Sequence, residues 1–305
     1  FLKIPNVEKY EVLRKEENGF IALIEMEDGY EFRLSANVIQ QVYPSTVVGL
    51  IKSTKKNQGV NILISPYISD RTAMICEQNG IGYFDYAGNC WFAGHSIYLS
   101  ERGHKNPQPK EYKAVTIFEK SSTVSSLILR ELFLDINKTW RLKYLAEKVN
   151  CSIGQVSKVI NYLLDNVWVE KRKEGYKLTD PESLLQEWSR VYGKKDLPAY
   201  GCYSLDNISV LENKLIQLKK NHGIDTYLTG FSGGVRYVPA VRYNKVHVYV
   251  SPENIREAIE FLGMKEVDSG SNVVIYSLEN DCYIKDFRVI DAMAVASPVQ
   301  IYLDC

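Results

Sequence analysis

The chain has 305 residues, 37 Lys and Arg against 37 Asp and Glu, and a hydrophobic share of 45%. Zero net charge with 24% charged residues is ordinary globular composition, and this length gives room for two or three domains with cores of their own. No apolar run reaches the roughly 18 residues of a membrane-spanning helix, and no signal peptide is visible.

The six cysteines, at 76, 90, 151, 202, 282 and 305, form no Cys-x-x-Cys pair, and the four histidines do not stand beside them at ligand spacing. Neither a zinc site nor a disulfide framework is expected, and no cofactor is implied. Reduced thiols in apolar surroundings suit a cytoplasmic compartment. Phe1 stands in place of a Met and Cys305 lies just past an apparent helix start, so trimmed ends are expected.

The first hundred residues alternate strand-like runs, Phe20 to Met26, Tyr30 to Leu34 and Val60 to Ile64, with helical ones, Ala36 to Tyr43 and Arg71 to Asn79. Tyr83 to Phe92 then reads as strand, turn and strand, so this part is an α+β or α/β sheet domain. It looks like a reduced restriction-endonuclease sheet, whose active forms set an acid and a Glu-x-Lys around a metal. The nearest candidates are Asp28 and Glu31-Phe32-Arg33. A rigid, permanently charged arginine replaces poorly a lysine that positions water, so solvated strand residues are expected, with nuclease chemistry as the alternative. Asp85 and Asn89 bracket a turn and are expected to bond its amides, the other option being a catalytic pair.

Gly103 to Lys110 is polar, carries two prolines and reads as a linker. Beyond it, Thr139 to Thr179 reads as two short helices, a tight turn, a longer helix and a basic hairpin, the layout of a winged helix-turn-helix. Leu142, Leu145, Ala146 and Val149 share one helix face. Ser152 is placed to cap the next helix, whose buried stripe is read as Ile153, Val156, Ile160 and Leu163. Gln155, Ser157, Lys158 and Asn161 then point outward, with Gly154 permitting close approach to a sugar-phosphate. Amides can pair bidentately with adenine, and lysine can meet guanine or phosphate. The strand Val167 to Glu170 turns through Lys171, Arg172 and Lys173 and returns as Tyr176 to Thr179, giving the wing a cationic tip. From Tyr112 to Asp180 there are nine Lys and three Arg against three Asp and five Glu, a surplus of four positive charges. The segment is therefore a candidate for double-stranded DNA, with Ser152, Gln155, Ser157, Lys158, Asn161, Lys171, Arg172 and Lys173 as the contacting residues. A protein-protein module is the alternative.

Asp180-Pro181 opens a helix with Leu184, Leu185, Trp188 and Val191 on one side. Gly193 to Pro198 leads into a third, α/β region. A helix from Leu211 to Asn221, a strand Thr226 to Leu228, a glycine-rich turn and a strand Lys245 to Val250 come first. A helix Pro252 to Leu262, capped by Ser251, and strands at Val273 to Ser277, Phe287 to Ile290 and Met293 to Ala296 follow. The region resembles a nucleotidyltransferase core, in which a Gly-Ser turn precedes a strand with two metal-binding aspartates. Gly230, Ser232, Gly233 and Gly234 supply such a turn and could present amides to an anion, but Lys245, His247 and Tyr249 occupy the strand face where carboxylates would stand. Paired magnesium ions need anionic oxygen ligands, so catalysis is not expected and no metal site is read.

Three segments together resemble the AbiEi-type antitoxins and transcriptional regulators of type IV toxin-antitoxin systems: Ile64 to Ser69 with Gly80 to Asn89, the winged region, and Leu228 to Gly234 with Ser297 to Asp304. The likeness covers most of residues 60 to 305. It implies a DNA-binding autorepressor that counters a nucleotidyltransferase-type toxin without necessarily touching it. The expectation is thus a multidomain α+β chain. Residues 1–105 form a degenerate nuclease-like sheet, 112–195 a winged helix-turn-helix, and 200–305 a degenerate nucleotidyltransferase-like domain. It binds operator DNA, is non-catalytic, can act as a homodimer, and touches no membrane. A scaffold that masks a toxin or other partner is the second expectation, and a metal-dependent nuclease or nucleotidyltransferase the third.

Overall fold

The computed structural model describes residues 6–54, 59–106, 117–118, 123–192, 198–240 and 242–305. The chain divides into two compact units, Phe1–Thr116 with Ile160–Lys171, and Ile117–Val159 with Arg172–Cys305. Residues 107–110 of the expected linker and 193–197 of the second boundary lie outside the described residues.

The first unit carries β1 (Val7–Glu16), β2 (Gly19–Met26), β3 (Glu31–Val38), α1 (Pro44–Thr54), β4 (Val60–Ser65), α2 (Asp70–Gln78), β5 (Gly82–Asp85), β6 (Cys90–Gly94) and β7 (Ile97–Glu101). The strands form one sheet in chain order. β1 to β3 and β5 to β7 pair antiparallel, while α1 and α2 carry the chain across parallel steps from β3 to β4 and β4 to β5. Burial at every second residue of β2, Ala22, Ile24 and Met26, puts them in one core with Leu34, Ile62 and Phe92. Leu63, Ala73, Cys76 and Tyr83 belong to a second core. The β6–β7 turn reaches the β2–β3 turn: His95 Nε2 lies 2.6 Å from Asp28 Oδ2, and its ring stacks on Tyr30 at 4.1 Å.

The helix expected over Ala36 to Tyr43 is absent. Residues 34–38 are fixed in the parallel ladder, Leu34 opposite Val60 through Val38 opposite Ile64, and ladder bonds override a short apolar pattern. The helix begins instead at Pro44, whose fixed φ suits a first turn.

The central elements are α3 (Thr123–Leu134), β8 (Thr139–Trp140), α4 (Leu142–Val149), α5 (Ile153–Asp165), β9 (Val169–Arg172), β10 (Gly175–Leu178) and α6 (Pro181–Tyr192). The three strands form a sheet in the order β8–β10–β9. One short helix, not two, precedes the turn, because Thr139 and Trp140 are extended and pair with Lys177 and Tyr176. The unit boundary runs through α5 and the end of β9.

The remainder comprises β11 (Ala199–Tyr203), α7 (Ile208–His222), β12 (Thr226–Thr229), α8 (Gly230–Tyr237), β13 (Val246–Val250), α9 (Ile255–Phe261), β14 (Lys265–Glu266), β15 (Val273–Ser277), β16 (Arg288–Ile290), β17 (Met293–Val295) and α10 (Pro298–Asp304). Its seven strands run in the order β14–β11–β15–β13–β12–β17–β16. Leu215, Leu218, Val248, Ile275 and Val295 sit in its core. The glycine-rich stretch is not a free turn but the opening of α8. Gly233 is required there, since a Cβ would stand 2.8 Å from Leu228 O. Ser251 makes no side-chain cap bond, because the helix it precedes begins as a 3-10 turn over Pro252–Asn254. The fold is α+β with several sheets and, among the described residues, ten α-helices. No helix there is long and apolar enough to cross a membrane.

Candidate nucleic-acid interface

Leu145, Ala146 and Val149 are buried, which fixes the inner face of α4. The helix stops because Asn150 takes a left-handed conformation at φ 54, a cap that asparagine tolerates, and its N–H returns to Ala146 O and Glu147 O. Cys151 leads into Ser152, whose Oγ accepts from Gln155 N at 3.2 Å while Gln155 Oε1 accepts from Ser152 N at 3.0 Å. That reciprocal pair is a capping box. Gln155, expected as a groove residue, thus has its amide oxygen turned back on the helix start, and Ser152 is occupied by the same bonds.

Val156, Val159, Ile160 and Leu163 are buried, whereas Ile153 is 50% exposed. The apolar stripe therefore starts one turn later than the sequence suggested and includes Val159, a residue outside the expected periodicity. Lys158 and Asn161 are exposed together with Gly154 and Gln155, and Ser157 is half-buried. Past α5, Val167 sits at φ 59, a left-handed geometry unfavourable for a β-branched residue. It is held by Val167 N donating to Leu164 O and by buried Trp168 N donating to Leu163 O at 2.9 Å. The strand expected from Val167 to Glu170 runs instead from Val169 to Arg172, so Lys173 and Glu174 make the turn, and Lys171 to Glu174 are all exposed. Gly175 lets β10 run against β8, since a Cβ there would meet Trp140 O at 2.4 Å. Ahead of α4, Lys138 Nζ lies over both Trp140 (4.2 Å) and Tyr144 (4.6 Å), and Arg141 Nε donates to Glu174 O at 3.4 Å. Lys138 and Arg141 add cations that sequence reasoning did not single out. Their signal was their spacing around an aromatic pair.

The other candidate residues occupy different chemistry. Asp28 Oδ1 accepts from Tyr30 N, and hydrogen bonding from His95, then from this amide, lowers its carboxyl below the usual range. Glu31 and Arg33 are exposed on β3. Asp85 accepts from Ile68 N, Asn89 N and Asn89 Nδ2, while Asn89 Oδ1 accepts from His104 N at 2.9 Å. The pair thereby closes its turn.

On the C-terminal sheet, Ser232 Oγ donates to Thr229 O and accepts from His247 N at 2.9 Å. Burial, and then Lys245, lower the His247 pKa, favouring the neutral ring. The strand face that lacks a carboxylate of its own receives one from α10. Asp304 Oδ2 accepts from Tyr249 Oη at 2.8 Å and from Thr229 Oγ1, and Asp304 Oδ1 accepts from Gln300 Nε2 at 2.7 Å. Gln300 Oε1 accepts in turn from Arg130, a residue 2% exposed, and Gln300 Nε2 donates also toward Tyr192 Oη at 2.8 Å. Burial raises Asp304 to about 6 against the bonds from Thr229, Tyr249 and Gln300. Sequence reasoning missed this cluster. Its one local signal was an arginine inside the apolar run Leu127 to Leu134. All six cysteines are free thiols, and among the described residues no group of three or more His, Cys, Asp or Glu could hold a metal ion.

No curated protein matches the chain, and no solved structure matches it either. The Leu228 to Gly234 and Ser297 to Asp304 segments lie inside a matched stretch, while Ile64 to Asn89 and most of the central elements lie outside it. Residues 177–305 match the family described as transcriptional regulator, AbiEi antitoxin, of type IV toxin-antitoxin systems.

Proposed function

We propose that the chain is a DNA-binding transcriptional regulator of the antitoxin type, an autorepressor without catalysis of its own, acting in the cytoplasm. Residues 112–195 serve as a winged helix-turn-helix between a degenerate nuclease-like domain (1–105) and a degenerate nucleotidyltransferase-like domain (200–305). The carrying observation is the exposure of Lys158 and Asn161 on α5 together with Lys171, Arg172 and Lys173 at the hairpin tip. The family match over 177–305 supports the regulatory role. Phosphates would take the wing cations, and base edges would take Lys158, Asn161 and, once its cap opens, Gln155. Ser152 and Ser157 would lie at the edge of that surface. One such element covers few base pairs, which favours two copies on a palindromic operator. Gly230, Ser232, Gly233 and Gly234 act as structure at the head of α8. A nucleotidyltransferase-type toxin is the partner in function.

The test is duplex binding by a variant with Lys158, Lys171, Arg172 and Lys173 replaced by Ala. Affinity for DNA upstream of its gene should fall, and the slope of log K against log salt should flatten by about 0.9 for each phosphate that is no longer neutralised. Unchanged affinity would sink the reading. One observation favours a second reading, a scaffold that masks a partner protein: the half-exposed apolar Ile153 at the head of α5. A stable co-purifying partner with no duplex binding at low salt would select it.

A further inference from the structure

Within the first unit, a cavity of about 190 Å³ lies where the C-terminal end of α5 meets the segments before α1 and α2. Its lining includes three tyrosines, Tyr43, Tyr67 and Tyr162, and three carboxamide residues, Gln41, Asn106 and Asn166. Among the described residues that line it there is no Asp, Glu, Lys or Arg. One wall is fixed in advance: Asn166 Nδ2 donates to Tyr162 O at 2.9 Å, and Asn166 O accepts from Arg71 Nε at 2.9 Å. The Arg71 guanidinium in turn lies 4.7 Å from the centre of the Trp168 ring.

We propose that this cavity binds a nucleobase ring, adenine first. The exposed Gln41 carries a donor and an acceptor in the plane of its carboxamide, the pattern that pairs with the N6 and N7 edge of adenine. Aromatic faces stack bases of any kind. Among the described residues the lining carries no formal charge, which suits a neutral heterocycle better than a phosphate. The volume is below the ~300 Å³ at which drug-sized ligands begin, which leaves room for one ring system and little else. Two sources share this chemistry, a free base or nucleoside and a base turned out of a nucleic-acid strand. The proposal does not depend on how α5 contacts DNA.

Calorimetric titration of the full chain with adenine and adenosine tests the first source. Titration with a short single strand carrying one adenine, beside the same strand abasic at that position, tests the second. Saturable binding in either arm is expected, weakened at least ~5-fold by Tyr67→Ala, the low end of what one stacked ring contributes. Gln41→Ala, at an exposed rim position, should weaken it too while leaving the melting temperature unchanged, which covers the case in which Tyr67→Ala fails to fold. Binding in neither arm, or binding indifferent to Gln41→Ala and to a folded Tyr67→Ala, would overturn the proposal. Base binding without duplex binding would sink the DNA reading and leave this one standing.

Discussion

Around Gln300 the polar side chains are turned inward and bonded to one another, whereas along α5 and the hairpin tip Lys158, Asn161, Lys171 and Lys173 are held in solvent. A buried polar group costs free energy unless its partners are in place, so the inner cluster is tied to the integrity of the fold. An exposed cation contributes almost nothing to the fold and keeps its charge for a ligand. The same residue types therefore report stability in one place and, in the proposed function, recognition in the other.

The sharpest break of that contrast is Arg130→Ala. It removes a donor to Gln300 and a guanidinium 5.4 Å from the Trp188 ring, and should cost on the order of 3–5 kcal/mol in urea unfolding. Next comes Asp304→Asn. The folded carboxyl is raised from 3.8 to about 6, so its share of stability is present below pH 3.8 and lost as pH rises through about 6. Unfolding followed from pH 3.5 to 7 should show a decline of about 2–3 kcal/mol from this group, absent in the Asn variant. Gly175→Ala sets a Cβ against Trp140 O at a φ of 149 and should cost roughly 1–3 kcal/mol, read as a lowered melting temperature. At the other extreme, the fourfold Ala variant of Lys158 and the wing should leave stability within about 0.5 kcal/mol of the parent. A large loss there would mean that these cations belong to the fold after all.

How much of this was legible follows the range of each signal. α4, α5 and the hairpin were readable because each of their signals, the Leu145, Ala146 and Val149 face, the Asn150–Ser152 break and the charged Lys171–Lys173 run, is contained within a few residues. The error at Ile153 came from the same periodicity: Val159 with Val156, Ile160 and Leu163 completes the stripe without it, and only packing decides which apolar residue is left outside. Residues 36–38 were misread because their conformation is set by β4, more than twenty residues away. The two-residue strand β8 is too short to show any period. The Arg130–Gln300–Asp304 cluster joins α3 to α10 across 170 positions, and no local pattern carries such a link.

α5 is opened by the Ser152–Gln155 capping box and closed ahead of the left-handed Val167. A helix with both stops set in this way has a fixed number of residues and a fixed angular origin. Exchanging Lys158 or Asn161 for another polar residue rewrites what the outer face displays without turning it. Inserting a single residue between the stops would rotate every later side chain by about 100°. If α5 reads DNA as proposed, substitution is the open route to a new target sequence, and insertion the closed one.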